Sequence, residues 1–235
     1  MKKLSTIVAT IILLLFVSFE SNIQGQSLAD WKKIQSVDDV YLVFPERIDS
    51  LLLQIDLNTP GLEAVKDAYS RKQPKLACQL LLDYYRKTGA KKNLHIKKPP
   101  VSQAKNHAAD LLVQNIYTIN NQTAQVPYRQ NGHIDWRFHG PTDDLEWSWV
   151  LNRHYHLDTL FRAYLETGNP VYAQTIDLQI KDWIIASLPY TNVKSFSNEM
   201  WRGLEVNFRV KQWAKLFYAL NNTAYLSPAT QLLIL

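Results

Sequence analysis

The sequence has one cysteine among its 235 residues, and this scarcity excludes an intrachain disulfide. Cys78 lies in the segment KLACQLLLDYY, on the apolar stripe of a predicted helix. We therefore expect it to be a buried residue and not a catalytic nucleophile. Without disulfides, the fold must be held by its own core.

Glycine is also scarce, with 7 residues in the chain. The glycine-containing signatures of phosphate-binding loops and serine hydrolases are absent: G-x-x-x-x-G-K, G-x-G-x-x-G and G-x-S-x-G. His133 and His139 flank Asp135, but their spacing matches no helical or hairpin pattern of metal ligands. We therefore predict no metal and no cofactor.

The sequence lacks runs of positive charge that are interleaved with aromatic residues. Its formal net charge of +5 gives a mild bias towards anionic partners, and its one basic cluster, GAKKNLHIKKPP, is typical of a solvated linker. We therefore do not predict binding to nucleic acid.

The first 25 residues have the pattern of an export signal. Lys2 and Lys3 precede an uncharged apolar run from about 7 to 19, and Gly25 is a small residue at the expected cleavage point. A membrane anchor is the alternative, but this run is shorter than the roughly 20 residues that span a bilayer. We predict a signal peptide over 1–25, a periplasmic location and no membrane association after cleavage.

The remaining sequence predicts an all-α protein. Three short helices are expected between Pro45 and Gly89, and long ones at 143–167, 170–187 and 200–222, with a last helix from 228. A short irregular or β-hairpin insertion is expected between 116 and 139. Successive antiparallel helical hairpins are typical of an (α/α) toroid. We assign 26–100 to an N-terminal helical segment and linker, and 101–235 to the first part of the toroid.

The final segment, SPATQLLIL, begins as a helix and then stops on an apolar run. An apolar face needs a partner to leave water. We therefore expect this chain to be the front part of a longer protein, and we expect the exposed stripe of its last helix to favour association.

The segment WSWVLNRHYHLDTLFRAYLETG, residues 147–168, predicts part of one continuous helix with three polar residues near its start. Asp143 is expected to form a capping box with Glu146, and Gly168 to end the helix in the left-handed conformation. His154 falls on the apolar stripe, whereas Arg153 lies one position away from it.

This segment resembles the heparinase II/III-like polysaccharide lyases, specifically the heparan-sulfate lyase type, and so do IDWRFHGP before it and DWIIASLP and MWRGLEVNFRV after it. The most distinctive shared feature is the string W-x-W-x-x-N-R-H, residues 147–154. The resemblance covers nearly the whole chain after the signal and implies an incomplete (α/α) toroid, which is followed in full-length relatives by a β-sandwich domain.

The resemblance also implies cleavage of uronic-acid-containing chains by β-elimination. A charge neutraliser polarises the uronate carboxylate, a base removes the C5 proton, and an acid protonates the departing glycosidic oxygen. The neutralising Asn, the catalytic Tyr and a further His of the family have no matching positions here. No catalytic residue is therefore predicted, and this chain alone is expected to be inactive.

Arginine forks and amide or imidazole donors suit a sulfated or carboxylated sugar. The residues predicted to bind substrate are Trp147, Asn152, Arg153, His154, Arg202, Glu205 and Arg209. For the 152–154 triplet, the alternative is a buried histidine with the arginine reaching outward. For the last three, it is a solvated ion-pair face beside a buried stripe of Val206, Val210, Trp213, Phe217 and Leu220. The tryptophans at 136, 147, 149 and 201 either stack on sugar rings or lie in the core.

The resulting hypothesis is the N-terminal part of a periplasmic lyase whose partner is an anionic, uronate-containing polysaccharide of the heparan-sulfate type. One alternative is a non-catalytic helical module that binds glycan or protein. A toroidal glycoside hydrolase is a further alternative, disfavoured because no pair of carboxylates stands out at a plausible site. The sequence does not choose among heparan sulfate, alginate and other polyuronates.

Overall fold

The computed structural model describes residues 30–87, 99–100, 102, 104–188 and 200–235. The predicted signal peptide and most of the predicted linker lie outside these residues. The described part of the chain is mostly helical and contains one 3-10 turn, at Trp31–Lys33, and one two-stranded sheet. None of its helices is long and apolar enough to cross a membrane. The helices are α1 (Val37–Val43), α2 (Pro45–Gln54), α3 (Glu63–Ser70), α4 (Pro74–Lys87), α5 (His107–Val113), α6 (Leu145–Leu151), α7 (His156–Thr167), α8 (Pro170–Ala186), α9 (Gly203–Leu220) and α10 (Pro228–Ile234).

The first four helices pack on a common hydrophobic core. Ser36 begins α1 with a capping box, in which its hydroxyl accepts from the Asp39 amide and the Asp39 carboxylate accepts from the Ser36 amide. The three helices expected between residues 45 and 89 are confirmed as α2, α3 and α4. Helix α1 was not predicted from the sequence.

The hairpin consists of β1 (Ile116–Ile119) and β2 (Gln122–Gln125), which pair antiparallel. Asn120 and Asn121 join the strands, and both have positive φ, at 50° and 61°. Asparagine tolerates this left-handed backbone, which a two-residue hairpin loop requires at both positions. The expected small hairpin is therefore confirmed.

The continuous helix predicted over 143–167 is wrong, because the chain forms two helices that are separated by a turn at residues 152–155. His154 lies in this turn with φ 59°, a left-handed conformation that a helix cannot contain. The predicted cap is also wrong. Asp144 caps α6 by accepting from the Glu146 amide, while Asp143 has φ 55° and lies before the helix.

The tight connection between α7 and α8 is confirmed. Gly168 ends α7 with φ 68°, and its amide donates to the carbonyl of Tyr164. Asn169 then caps α8 by accepting from the Val171 amide, with Pro170 at the first helical position. The apolar stripe predicted for α8 is buried, at Tyr172, Ile176, Ile180, Trp183 and Ile184.

The buried face predicted for α9 is confirmed at Trp213, Phe217 and Leu220 but not in the first half of the helix. Val210 was expected in the core but is 53% exposed, whereas Glu205 and Arg209 are buried. The apolar pattern failed here because the two charged side chains have polar partners inside the protein, and such partners allow charges to be buried. The alternative of a solvated ion-pair face is wrong for the same reason.

The exposed stripe predicted for the last helix is also wrong over most of α10. Ala229 and Leu232 are buried in the core of the first four helices, and Leu235 is 37% exposed. Asp177 on α8 fixes the start of α10 by accepting from the amide and the hydroxyl of Ser227, both at 2.8 Å. The sequence did not indicate this packing, because it joins segments at opposite ends of the chain.

Candidate functional site

The turn between α6 and α7 is built around the side chain of Asn152, which is fully buried. Its amide nitrogen donates to the carbonyls of Trp136, at 2.7 Å, and Ser148, at 2.9 Å. Its amide oxygen accepts from the indole nitrogen of Trp183, at 2.7 Å. Because all of its polar atoms have protein partners, Asn152 supports the turn and is enclosed by it.

His154 is also fully buried, among three tryptophans and a second histidine. Its Nδ1 accepts from the indole nitrogen of Trp213 at 3.1 Å, so the neutral ring carries its proton on Nε2. Burial lowers the pKa of His154 well below the usual value, and His156 and Arg209 lower it further. The imidazole is therefore uncharged at neutral pH.

Arg153 and Arg202 meet at one oxygen of Glu205. Oε1 accepts from Nε and Nη2 of Arg153, at 3.3 and 3.1 Å, and from Nη1 of Arg202, at 3.0 Å. The Glu205 side chain is fully buried, whereas the two arginine side chains are 16% and 20% exposed. A buried carboxylate therefore holds two arginines that still reach the surface.

Neighbouring side chains restrict both guanidinium groups further. Arg202 lies over the Trp149 ring, with its guanidinium carbon 3.8 Å from the ring centroid. Arg153 also donates to Glu146, at 3.2 Å, and lies 5.7 Å from the centroid of Phe208. Stacked and forked arginines lose little conformational freedom when they bind a further anion. We call Arg153, Arg202 and Glu205 the arginine pair and its carboxylate.

Arg209 lies one helical turn beyond Glu205 and is 1% exposed. Its guanidinium carbon is 3.8 Å from the centroid of the Trp183 ring. Burial lowers the pKa of Arg209 to about 9, and the negative charge of Glu205 opposes this shift. A guanidinium group enclosed in this way has no free surface for a ligand.

The structure brings most of the predicted residues together but buries five of them. Trp147 is fully buried against Phe138 and Gly140, where a Cβ on the glycine would lie 2.6 Å from the indole Cγ. Asn152, His154, Glu205 and Arg209 are likewise enclosed. Arg153 and Arg202 keep accessible surface. The alternative of a buried histidine with an outward arginine describes the observed 152–154 turn.

The sequence interpretation missed Asp182, which holds the loop before α6 in place. The Asp182 carboxylate is fully buried and accepts from His133 Nδ1 at 2.6 Å, the Ile134 amide at 3.0 Å and Trp136 Nε1 at 2.8 Å. The ring of His133 also stacks on Trp31. An aspartate inside an apolar stretch of α8 was the only signal that could have indicated this role.

Two further observations concern metal binding and the surroundings of His156. Within the described residues, no three His, Cys, Asp or Glu side chains are grouped so that they could hold a metal ion. His156 lines a cavity of about 370 Å³ together with residues of α5 and β1. Burial lowers the pKa of His156 to about 3, and a side-chain hydrogen bond to Gln179 opposes the shift.

The fold and this site define a mostly helical domain that presents two restrained arginines at the ends of its helices. The chain belongs to the heparinase II/III family, because the model of the heparinase II/III N-terminus matches residues 51–235.

Curated relatives support this assignment. A heparin-sulfate lyase of Bacteroides stercoris is 29% identical over 181 residues, which are 69% of this chain and 27% of that protein. A heparin-sulfate lyase of Bacteroides thetaiotaomicron is 30% identical over 184 residues, covering 74% of this chain and 26% of that protein. The chain therefore spans about a quarter of the length of these relatives.

Solved structures share the fold. A heparinase III with methylated lysines matches 77% of this chain and 30% of its own, with a TM-score of 0.61 and 24% identity. The heparan sulfate lyase of Pedobacter heparinus matches 76% of this chain and 29% of its own, with a TM-score of 0.57 and 23% identity.

Proposed function

We propose that this chain is the N-terminal part of an exported polysaccharide lyase that acts on a uronate-containing glycosaminoglycan of the heparan-sulfate type. The observation that carries the proposal is the arginine pair on its buried carboxylate, in a chain of the heparinase II/III family. The printed names of its relatives, heparin-sulfate lyases, support this substrate class.

In this proposal Arg153 and Arg202 bind sulfate or carboxylate groups of the polysaccharide. Glu205 neutralises part of their charge and holds both guanidinium groups at a fixed separation. Arginine suits this role because its planar fork matches the geometry of carboxylate and sulfate oxygens. The two groups are already ordered before binding, so less conformational entropy is lost when the polymer arrives.

The reaction proposed for the whole enzyme is β-elimination. Removal of the C5 proton beside the uronate carboxylate is followed by loss of the glycosidic oxygen at C4, which leaves a C4–C5 double bond. The residues that neutralise the carboxylate, remove the proton and protonate the leaving oxygen have no matching positions in this chain. Residues 30–235 therefore supply substrate binding in this proposal and not the chemistry.

The same proposal includes a toroidal arrangement of the helical hairpins and export to the periplasm. The hairpin of α7 and α8, joined at Gly168, supports the first. The charged and apolar pattern of the first 25 residues supports the second.

The protein encoded by the complete open reading frame tests this function. We expect it to release unsaturated uronate from heparan sulfate, which is detected by the ultraviolet absorbance of the new double bond. Arg153→Ala should lower kcat/KM by about tenfold or more, the usual effect of losing hydrogen bonds to a charged group. Binding of heparan sulfate without any cleavage would contradict the lyase and favour the non-catalytic module.

A further inference from the structure

Arg209 joins the two segments that carry the arginine pair. Its Nη1 donates to the carbonyl of Asn152 at 2.6 Å, and its Nη2 donates to the carbonyl of Met200 at 2.8 Å. Asn152 is the residue before Arg153, and Met200 lies two residues before Arg202. One buried guanidinium group is thus bonded to the backbone immediately ahead of both surface arginines.

The surroundings of Arg209 make this connection rigid. Its guanidinium group stacks on Trp183 at 3.8 Å, and the same indole donates to the side chain of Asn152. Asn152 ends α6, so its carbonyl is one of those left without a partner inside the helix, where a positive charge is favourable. No other side chain type offers two parallel donors on a flat, stackable cation.

We propose that Arg209 is a positioning residue: it fixes the two backbone segments from which Arg153 and Arg202 extend to Glu205, and thereby the spacing of anionic groups that the site accepts. It acts through the backbone and does not itself touch the polysaccharide. This inference rests on the proposed function, because it requires Arg153 to bind the glycan. The sequence predicted that Arg209 binds substrate, but its burial prevents direct contact and leaves the positioning role.

A double-mutant cycle on the 235-residue chain separates positioning from general support of the fold. Arg153→Ala is made in the unmodified chain and in Arg209→Lys. Lysine keeps the positive charge, but its single ammonium nitrogen replaces the two guanidinium nitrogens that donate to the Asn152 and Met200 carbonyls. The probe is a size-defined heparan sulfate oligosaccharide, and the readouts are Kd by calorimetry and the melting temperature.

Lys181→Met is the matched control. Lys181 is also a fully buried cation, and it donates to the Ile34 carbonyl at 2.7 Å and pairs with Asp177 at 3.3 Å. Lys181→Met should lower the melting temperature without changing the positions of Arg153 and Arg202. The effect of Arg153→Ala should therefore be the same in Lys181→Met as in the unmodified chain.

We expect Arg153→Ala to weaken binding about tenfold in the unmodified chain and in Lys181→Met, but about threefold or less in Arg209→Lys. An equal loss in all three backgrounds overturns the positioning role and leaves the proposed function intact. No loss in the unmodified chain overturns the proposed function, and the positioning role with it. If Arg209→Lys does not fold, Arg209→Met, which keeps the stack on Trp183, is measured in its place, and the same two outcomes decide.

Discussion

Replacing Asp182 should reveal how much the loop before α6 contributes to stability. Three donors converge on this carboxylate: Oδ2 accepts from the Ile134 amide and the Trp136 indole, and Oδ1 accepts from the His133 ring. Asp182→Leu has a similar volume but leaves all three donors buried without a partner. Each unsatisfied donor costs about 1–3 kcal/mol, so we expect a loss of about 4 kcal/mol or more in the free energy of unfolding.

Asp182→Asn should be much milder. Its amide oxygen can take the position of Oδ2 and accept from Ile134 and Trp136, while its nitrogen faces His133, whose ring can change tautomer to accept. We expect a loss of about 1–2 kcal/mol, close to one weakened hydrogen bond. The series is measured by urea unfolding, with circular dichroism and tryptophan fluorescence as separate probes.

Asp143→Asn is the control for the Asp182 series, because the Asp143 side chain is 91% exposed and asparagine tolerates the left-handed backbone at this position, with φ 55°. We expect a change of about 0.5 kcal/mol or less. Equal losses for Asp182→Leu and Asp182→Asn would refute the reasoning, since they would mean that the hydrogen bonds to the loop are not what Asp182 contributes.

Three further predictions concern the rest of the domain. Gly168→Ala should lower the free energy of unfolding, measured by thermal unfolding, by about 2 kcal/mol or more, because Gly168 has φ 68° and a Cβ would lie 1.8 Å from the Pro100 carbonyl oxygen. Gly203→Ala is its control and should be neutral or stabilising, because a Cβ there meets nothing within 4 Å. His154 and His156 have lowered pKa values in the folded state, so the unfolded state binds more protons below pH ~6.5 and stability falls as the pH is lowered. For His156, whose folded-state pKa is about 3, the loss is about 1.4 kcal/mol per pH unit between these two values. His156→Gln should remove this contribution in urea titrations at several pH values, and an unchanged slope would contradict it. Glu205→Gln should lower the free energy of unfolding by about 3 kcal/mol, because it removes the buried negative charge that pairs with Arg153 and Arg202. A loss of only tenths of a kcal/mol, which is typical of a solvated ion pair, would contradict this.

Much of the fold could be predicted because its signals are local. Gly168, Asn169 and Pro170 specify the α7–α8 connection by backbone chemistry alone, and the stripe of α8 follows from helical spacing. The break between α6 and α7 could not be predicted in this way. It depends on Asn152 bonding to Trp136 and Trp183, residues that are distant in sequence.

The sequence identified most residues of the site but not the role of each one. Arg153 and Arg202 were identified, and they retain surface. The burial of Glu205 and Arg209 was not foreseen, because a polar stripe on an isolated helix predicts a solvated face. The packing of α9 against the 152–155 turn brings Glu205 to Arg153 and Arg209 to the Asn152 carbonyl, and no pattern within α9 indicates these contacts. Asp182 was missed for the same reason, since its three donors come from a loop 46 to 49 positions away.

Titration of the chain with heparan sulfate, comparing Arg153→Ala/Arg202→Ala with Arg162→Ala, tests most directly whether the arginine pair binds an anionic polysaccharide. Arg162 is the matched control, because it lies on α7 with its side chain 72% exposed and paired with Asp158. We predict that the double replacement weakens binding by about a hundredfold, that the control stays within about twofold, and that added salt narrows the difference. Equal affinities for the two variants, at equal folded fractions, would contradict the account.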